Sequence, residues 1–546
     1  IYSERSLYAL FTLINKVEGM QLSPQRRSLL DALLLSALDS GHNLWPTDED
    51  RNPPRVLNTP AEYLERNLWR VLETAINDWS GTTDPIPLST WPDLPGNHGI
   101  CLYQGRMRDL SKQKPSFKIN HVVCVFPRPN QTFWTLSTLW SSWLWGKENA
   151  STIKNVLERQ RFDWYWHTNA LQSALAPAAQ MVEPGSTFFG LMPEATPGFI
   201  SASFEACSAS SLTFSGIAWK EETSFVQTEW TIQPGSRDNK KMNRQRINRE
   251  AIHNLLCENG EPCRYLKLYA AVNATLAVNQ AFPPTIQQLT YESASQIHSE
   301  IGKVFTDKQF LRRFESNAQD LESGSWWLMQ SEPCQASLAD RVETEVVQWL
   351  QKNRQIDAQT LQAQMNSRFT GFLTPPEELL EYCITSYARF EPQTQQWLLK
   401  ANESESERQL DLDEIQSTLS MLGSKIGMQA EGDYPILWSD RRHSGRLVYR
   451  LFISQHANLG RFIHQEIEEG VENVFLFPGS RSALLRYKLD RDPGLREKAA
   501  DHWHFLKFRT LRELARRNDL SKDLWDLFID SDPISLQDAT QLSMFL

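Results

Sequence analysis

A chain of 546 residues has room for about three or four domains of ordinary size. Its 40% hydrophobic and 22% charged residues describe a globular protein, and a net charge of −10 excludes one that holds nucleic acid by its overall field. No apolar run reaches the ~18–20 residues of a membrane helix. Seven scattered cysteines without a C-x-x-C pair argue against zinc and point to a reducing cytoplasm.

The chain opens with Ile1 and carries no charged-then-apolar leader, so it reads as a fragment or a trimmed chain. Residues 1–80 read as helical, with apolar residues at three- and four-residue spacing over 6–17, 28–40 and 60–79. Residues 81–99, rich in Pro, Thr and Gly, read as a loop, and alternation then takes over. Strands are predicted at 99–103, 122–126, 187–192, 212–219 and 225–232. Helices are predicted at 134–145, 154–159, 167–181 and 197–208. Glu183-Pro184-Gly185 is taken as a break, and residues 104–110 as a turn. The order over 81–235 is that of half a doubly wound sheet closing in a hairpin.

A polar basic linker follows from 236, and the chain reads as helical from 247 to 330. Residues 335–405 show helices at 340–353, 357–368 (opened by an Asp cap) and 375–387, then a strand at 396–400. Three short helices and a strand suggest a winged helix. The Glu/Ser-rich 402–408 reads as a solvated linker. Residues 425–546 read as a last α/β module, with strands at 435–438, 447–453 and 474–477 and then basic helices. No internal repeat is visible.

The most informative stretch is HVVCVFPRPNQTFWTLSTLWSSWLWGK, residues 121–147. A buried strand ends at a rigid Pro127-Arg128-Pro129-Asn130 turn, and an aromatic helix follows. Open α/β sheets build ligand sites at such strand ends. Together with YQGRMRDL, ALQSALAPAAQMVEPGSTFFGLM and FEACSASSLTFSGIAW, in that order, residues 1–235 resemble the large bacterial and archaeal adenine-specific DNA methyltransferases of restriction and phage-defence islands. The resemblance implies a partial Rossmann-type sheet with S-adenosylmethionine as cofactor and DNA as partner. In that family an Asp/Asn-Pro-Pro-aromatic loop closes the catalytic strand; its acceptor steers the adenine amino lone pair toward the methyl donor, and its aromatic stacks on the flipped base. Here Phe126-Pro127-Arg128-Pro129 falls on that motif. Phe126 has no acceptor, Pro129 is no aromatic, and Asn130 is the only amide that could substitute. The Gly-rich cofactor loop is also missing: it lies upstream of Ile1, or cofactor binding is lost.

Other constellations have two readings each. Trp134, Trp140, Trp143 and Trp145 either stack on extruded bases or pack on the sheet, and their spacing favours the core. His167, beside Trp164-Tyr165-Trp166, is either a base or a hydrogen-bonded structural group. Lys240, Lys241, Arg244, Arg246 and Arg249, with Arg237, either contact phosphate or keep a linker solvated. In the C-terminal module Arg481, Arg486 and Lys488, with Lys507, Arg509 and Arg512, suggest a second phosphate-binding face or a solvated helix face. A nuclease would want a strand-borne Asp with Glu-x-Lys, and strand 474–477 carries no carboxylate. No metal is expected.

The resulting expectation is a multidomain α/β protein: a helical region (1–80), a methyltransferase-like domain (81–235), a basic and helical region (236–330), a winged helix (335–405) and an α/β module (425–546). Its expected role is a degenerate DNA-methyltransferase relative. It would be a cytoplasmic DNA-binding or scaffolding subunit, with other protein subunits and no membrane, in a defence or restriction-modification complex. The alternatives are an active adenine-N6 methyltransferase and a scaffold that binds no nucleic acid.

Overall fold

The computed structural model describes residues 1–531 apart from 46–55, 64, 81–85, 114–118, 128–130, 158–162, 222–224, 233–242, 286, 316–319, 330–334, 442–444, 464–469 and 501–502. It is a mixed α/β chain in two compact units, Ile1–Ser116 with Pro127–Ala178, and Phe117–Phe126 with Ala179–Leu546.

In the first unit, α1 (Glu4–Glu18) and α2 (Pro24–Ser40) open on serine caps, Ser3 and Ser23, each accepting from the backbone N–H three residues on. α3 (Leu68–Ser80) follows. Within 81–99, read as loop, Leu88–Thr90 forms β1 and pairs in parallel with β2 (Ile100–Leu102). The turn expected at 104–110 includes the start of α4 (Met107–Lys112). α5 (Gln131–Trp145), α6 (Lys147–Leu157) and α7 (Trp164–Gln180) complete the unit. Its core joins Leu10, Ile14 and Val17 of α1 to Leu34, Ala37 and Leu38 of α2 and to Leu136, Trp140 and Leu144 of α5. Trp140 therefore packs on helices, where a sheet had been expected, and its indole N–H donates to the Tyr2 hydroxyl at 2.8 Å.

The second unit begins with β3 (Ile119–Val125), β4 (Val182–Met192), α8 (Pro197–Ser208), β5 (Leu212–Lys220) and β6 (Phe225–Ile232). The sheet order is β3-β4-β6-β5, with β3 and β4 parallel and β6 antiparallel to both β4 and β5. The expected hairpin is present, its returning strand lying between β4 and β5. Glu183-Pro184-Gly185, expected to break the chain, lies within β4. Phe126, directly after β3, is 1% exposed. Its ring lies so close to Gly190 that an added Cβ there would stand 2.6 Å from it and 2.7 Å from Thr228 Oγ1.

Residues 247–330, expected to be helical, also hold a small sheet. The order is α9 (Arg244–Asn259), β7 (Cys263–Arg264), α10 (Tyr265–Val278), α11 (Tyr291–Phe305), β8 (Leu311–Phe314) and β9 (Ser325–Leu328), with sheet order β7-β9-β8. α9 stops at Gly260, whose left-handed φ of 68° and approach to the Ala336 carbonyl leave no room for a side chain. The next segment repeats this connectivity: α12 (Leu338–Asn353), β10 (Gln355–Ile356), α13 (Ala358–Arg368), α14 (Glu377–Tyr387), β11 (Ala388–Glu391) and β12 (Gln396–Leu399), in the order β10-β12-β11. Asp357 caps α13, accepting from Thr360 N at 2.8 Å as its position predicts. Thus a repeat exists in connectivity that the sequence does not show.

The remainder is a five-stranded sheet in simple order, β13 (Met428–Glu431), β14 (Ile436–Asp440), β15 (Arg446–Ile453), β16 (Glu472–Phe477) and β17 (Trp503–Lys507). The first three strands are antiparallel, and β15, β16 and β17 run parallel. α15 (Glu405–Lys425) precedes the sheet, α16 (Gly460–Ile463) joins β15 to β16, α17 (Ser482–Arg491) and α18 (Pro493–Ala499) join β16 to β17, and α19 (Phe508–Arg516) and α20 (Lys522–Ser531) close it. β17 replaces part of the basic helix expected there. Alternation sorts the side chains: Leu451, Ile453, Val474 and Leu476 face a core with α15, α19 and α20, while Phe452, Phe475 and Phe477 face one that includes α12, α14, α17 and α18. The second helical module and one face of the C-terminal sheet thus share a single core.

Gly190→Ala should lower stability by about 1–3 kcal/mol through overpacking against Phe126, read as an earlier urea midpoint at unchanged slope.

Candidate functional site

The expected catalytic turn is described only in part: Pro127 is exposed, and Arg128, Pro129 and Asn130 lie outside the described residues. The strand-end position before it is filled by the interior Phe126 ring. His167, on α7, is 6% exposed; burial holds its imidazole down to about 4 against a hydrogen bond from its ring to the Pro127 carbonyl, which favours the charged form. The geometry is that of a neutral group fastening α7 to the start of the turn. Trp143 lies 5.0 Å from the Phe11 ring, and Trp145 donates to Asp31 Oδ2 at 3.1 Å.

Lys240 and Lys241 lie outside the described residues. Arg244 donates to the Ala281 carbonyl at 3.2 Å and sits 3.7 Å from Glu300. Arg249 pairs with Asp307 at 2.5 Å and covers the Phe310 ring. Arg246 stays exposed, 3.4 Å from Glu250.

The C-terminal cations divide. Arg486 is exposed and pairs with Asp490 at 3.0 Å. Arg481 and Lys488 are buried, so the phosphate-facing role read for them is corrected: their charge points inward. Lys488 Nζ donates to Asp340 Oδ1 at 2.6 Å, Glu343 Oε2 at 2.5 Å, Asn458 Oδ1 at 3.1 Å and the Ala457 carbonyl at 3.2 Å. Burial opposes the Lys488 charge, yet Asp340 and Glu343 raise its pKa well above the usual lysine range. Burial likewise opposes the Glu343 carboxylate, and Lys488 pulls it far below the carboxylate range; burial raises Asp340. Glu343 Oε1 accepts from the Tyr387 hydroxyl and from Ala457 N.

Arg481 lies across the Tyr387 ring, 3.5 Å from its centroid, and donates to Glu403 Oε2 at 2.5 Å and to the Ser386 carbonyl at 2.7 Å. Glu403 is therefore buried, although 402–408 had read as a solvated linker. One turn beyond Lys488, Arg491 donates to Glu261 Oε1 at 2.7 Å and Glu221 Oε2 at 3.1 Å. Burial opposes the Glu221 charge, and Arg491 with Lys267 brings its pKa down to about 2. The inward residues of α17 and its leading turn thus bind acids from four other segments.

The opposite side of that turn faces a cleft of about 1050 Å³ at the carboxyl ends of β16 and β17. Gly479, Ser480, Ser482, Lys507 and Arg509 form one wall; Tyr382, Tyr487, Glu378, Arg264 and Glu322 line other parts. Ligands of open α/β sheets bind at such a place. The sequence offered Pro-Gly-Ser-Arg at a strand end as its only signal. Among the described residues no group of three or more His, Cys, Asp or Glu could hold a metal ion, and no helix is long and apolar enough to cross a membrane. Cys257 is disulfide-bonded, which its spacing did not announce.

Comparison with known proteins gave no matching family model, no matching curated protein and no matching solved structure.

Lys488→Met should cost about 3–5 kcal/mol by leaving Asp340 and Glu343 buried without a cation, and adding Asp340→Asn and Glu343→Gln should recover part of the loss in thermal melts. For His167, the unfolded chain binds its proton near pH 6.5 and the folded chain only near 4. Its contribution is full above 6.5 and is lost as pH falls to about 4, and His167→Gln should flatten acid unfolding of the first unit over that window.

Proposed function

We propose that the chain is a DNA-binding or scaffolding subunit of a bacterial defence or DNA-modification complex, built on a degenerate relative of the amino-group DNA methyltransferases. The observation that carries this reading is the doubled helix–strand–helix–helix–strand–strand module, with its first–third–second sheet order. This order resembles that of a winged helix, in which the third helix would enter the DNA groove with the hairpin beside it. The two copies differ where it matters. α14 carries Glu377, Glu378 and Glu381, which repel phosphate. α11 exposes Ser295, Gln296, Ser299 and Lys303, side chains suited to base edges and backbone, and its one exposed acid is Glu292 in the first turn. DNA contact is therefore assigned to the first module, with Arg246 beside it on α9.

The β3-β4-β6-β5 sheet supports the methyltransferase-like part of the reading. The same sheet speaks against chemistry. Buried Phe126 takes the acceptor's place, and the described turns after β3 and β4 carry Pro127 and Pro193-Glu194 and no glycine cradle. Neither described turn offers a glycine cradle for the methionine part of S-adenosylmethionine, and no transfer step is derived. Other subunits of the complex would supply it.

The test is fluorescence anisotropy of a labelled duplex against salt. Binding should weaken with salt, and Arg246→Gln and Lys303→Gln should each reduce the log–log slope by about one. No salt-dependent binding, or a slope indifferent to both changes, would overturn the assignment in favour of a scaffold.

A further inference from the structure

The cleft at the carboxyl ends of β16 and β17 is not explained by duplex binding, since its walls carry both signs of charge. Register places Phe477 beside Lys507, so the Gly479-Ser480 turn meets the chain leaving β17. A Cβ on Gly479 would stand 3.9 Å from Lys507 Cδ and 4.0 Å from Arg509 Cδ. Two basic side chains thus run along a glycine–serine turn at one wall of the cleft. Lys507 is itself buried at 3% exposure and lines the cleft. Ser480 is exposed, and the Ser482 hydroxyl donates to the Gly479 carbonyl at 2.8 Å, which holds the turn closed.

Across from this cationic corner, Tyr382 of α14 and Tyr487 of α17 lie with ring centroids 4.9 Å apart, tilted by 34°, and both are half-buried. Glu378, one turn before Tyr382, and Glu322 add acceptors to the lining. Burial pushes the Tyr487 hydroxyl up to about 12, so it stays a neutral donor. The cleft therefore offers a pole for an anion, flat aromatic surface, and carboxylates that accept from amino groups. A polyanion laid along the whole cleft would meet those carboxylates and be repelled, whereas a single terminal unit would not. A compact ligand with phosphate at one end and an amino-bearing ring at the other satisfies all three features. The volume of about 1050 Å³, at the top of the roughly 300–1000 Å³ range of small-ligand sites, has room for one such unit.

We propose that this cleft binds a single nucleotide unit, its phosphate against Lys507, Arg509 and Ser480 and its base against Tyr382 and Tyr487. The chemistry is shared by a free nucleotide and by the 5′-phosphorylated end of a single strand. The inference goes beyond DNA binding by the first winged module, and the two stand or fall by different residues and different probes.

Calorimetric titration of the full chain tests it with adenosine 5′-monophosphate, adenosine, inorganic phosphate and a 5′-phosphorylated single-stranded oligonucleotide. The nucleotide should bind about tenfold or more tightly than adenosine or phosphate alone. Arg509→Gln and Ser480→Glu, both at exposed positions, should each weaken it by about tenfold or more with the melting temperature unchanged. Competition by the oligonucleotide would identify a strand end as the ligand's source, and its absence a free nucleotide. No nucleotide binding, phosphate binding as tightly as the nucleotide, or indifference to both substitutions overturns the proposal. None of these outcomes depends on Arg246 or Lys303, which report on duplex binding alone.

Discussion

One ammonium group sets the architecture of the larger unit. Lys488 Nζ sits between Asp340 and Glu343, out of contact with water, on a helix that belongs to the C-terminal sheet while both acids belong to α12. An isolated charge in that place would be prohibitive, and so would either carboxylate. Together they define one relative placement of α12 and α17, because a slip of a single helical turn would strand a charge on each side. Arg481 and Arg491 repeat the constraint at the two ends of the same helix, against Glu403 and against Glu221 with Glu261. Apolar packing around Leu338, Phe475 and Leu484 supplies the affinity of this seam, and the ions supply its register.

Local signals were legible where a repeat of two or of three to four residues ran long enough. The edges of α8 and β6, the cap at Asp357, and the alternation through β15 and β16 all follow from neighbouring residues. The two-residue strands β7 and β10 are too short for any period, and β1 and β2 hide in a Pro- and Gly-rich stretch. Buried ions were not legible at all. Lys488 lies 148 residues from Asp340, and Glu403 lies 78 from Arg481, so nothing nearby in the chain distinguishes either from a solvated charge. A helix carrying Arg486, Lys488 and Arg491 reads as a basic face, yet its cations point to two different sides.

The same limit explains the unseen repeat. The two modules share connectivity, but what each buries is dictated by different neighbours. α10 is enclosed almost throughout, with Tyr269 bonded to Ser201 of the four-stranded sheet's own helix, whereas α14 serves the seam through Tyr387. Once the surroundings differ, the core pattern differs, and the likeness survives only in strand order. The third helices differ in the same way, α14 being the more acidic, so one connectivity offers two dissimilar surfaces.

The seam also decides where this protein can be divided. Residues 400–404 resemble a natural boundary, being short, polar and placed between a finished hairpin and a new helix. A fragment ending there would keep Asp340 and Glu343 in its interior and leave their cation behind, and its complement would keep Arg481 without Glu403. Neither half is chemically complete. For gene fusion, domain shuffling or expression of parts, the indivisible segment runs from Glu221, a partner of Arg491, to the end of α18, and the apparent linker at 400–404 is not a place to cut the chain.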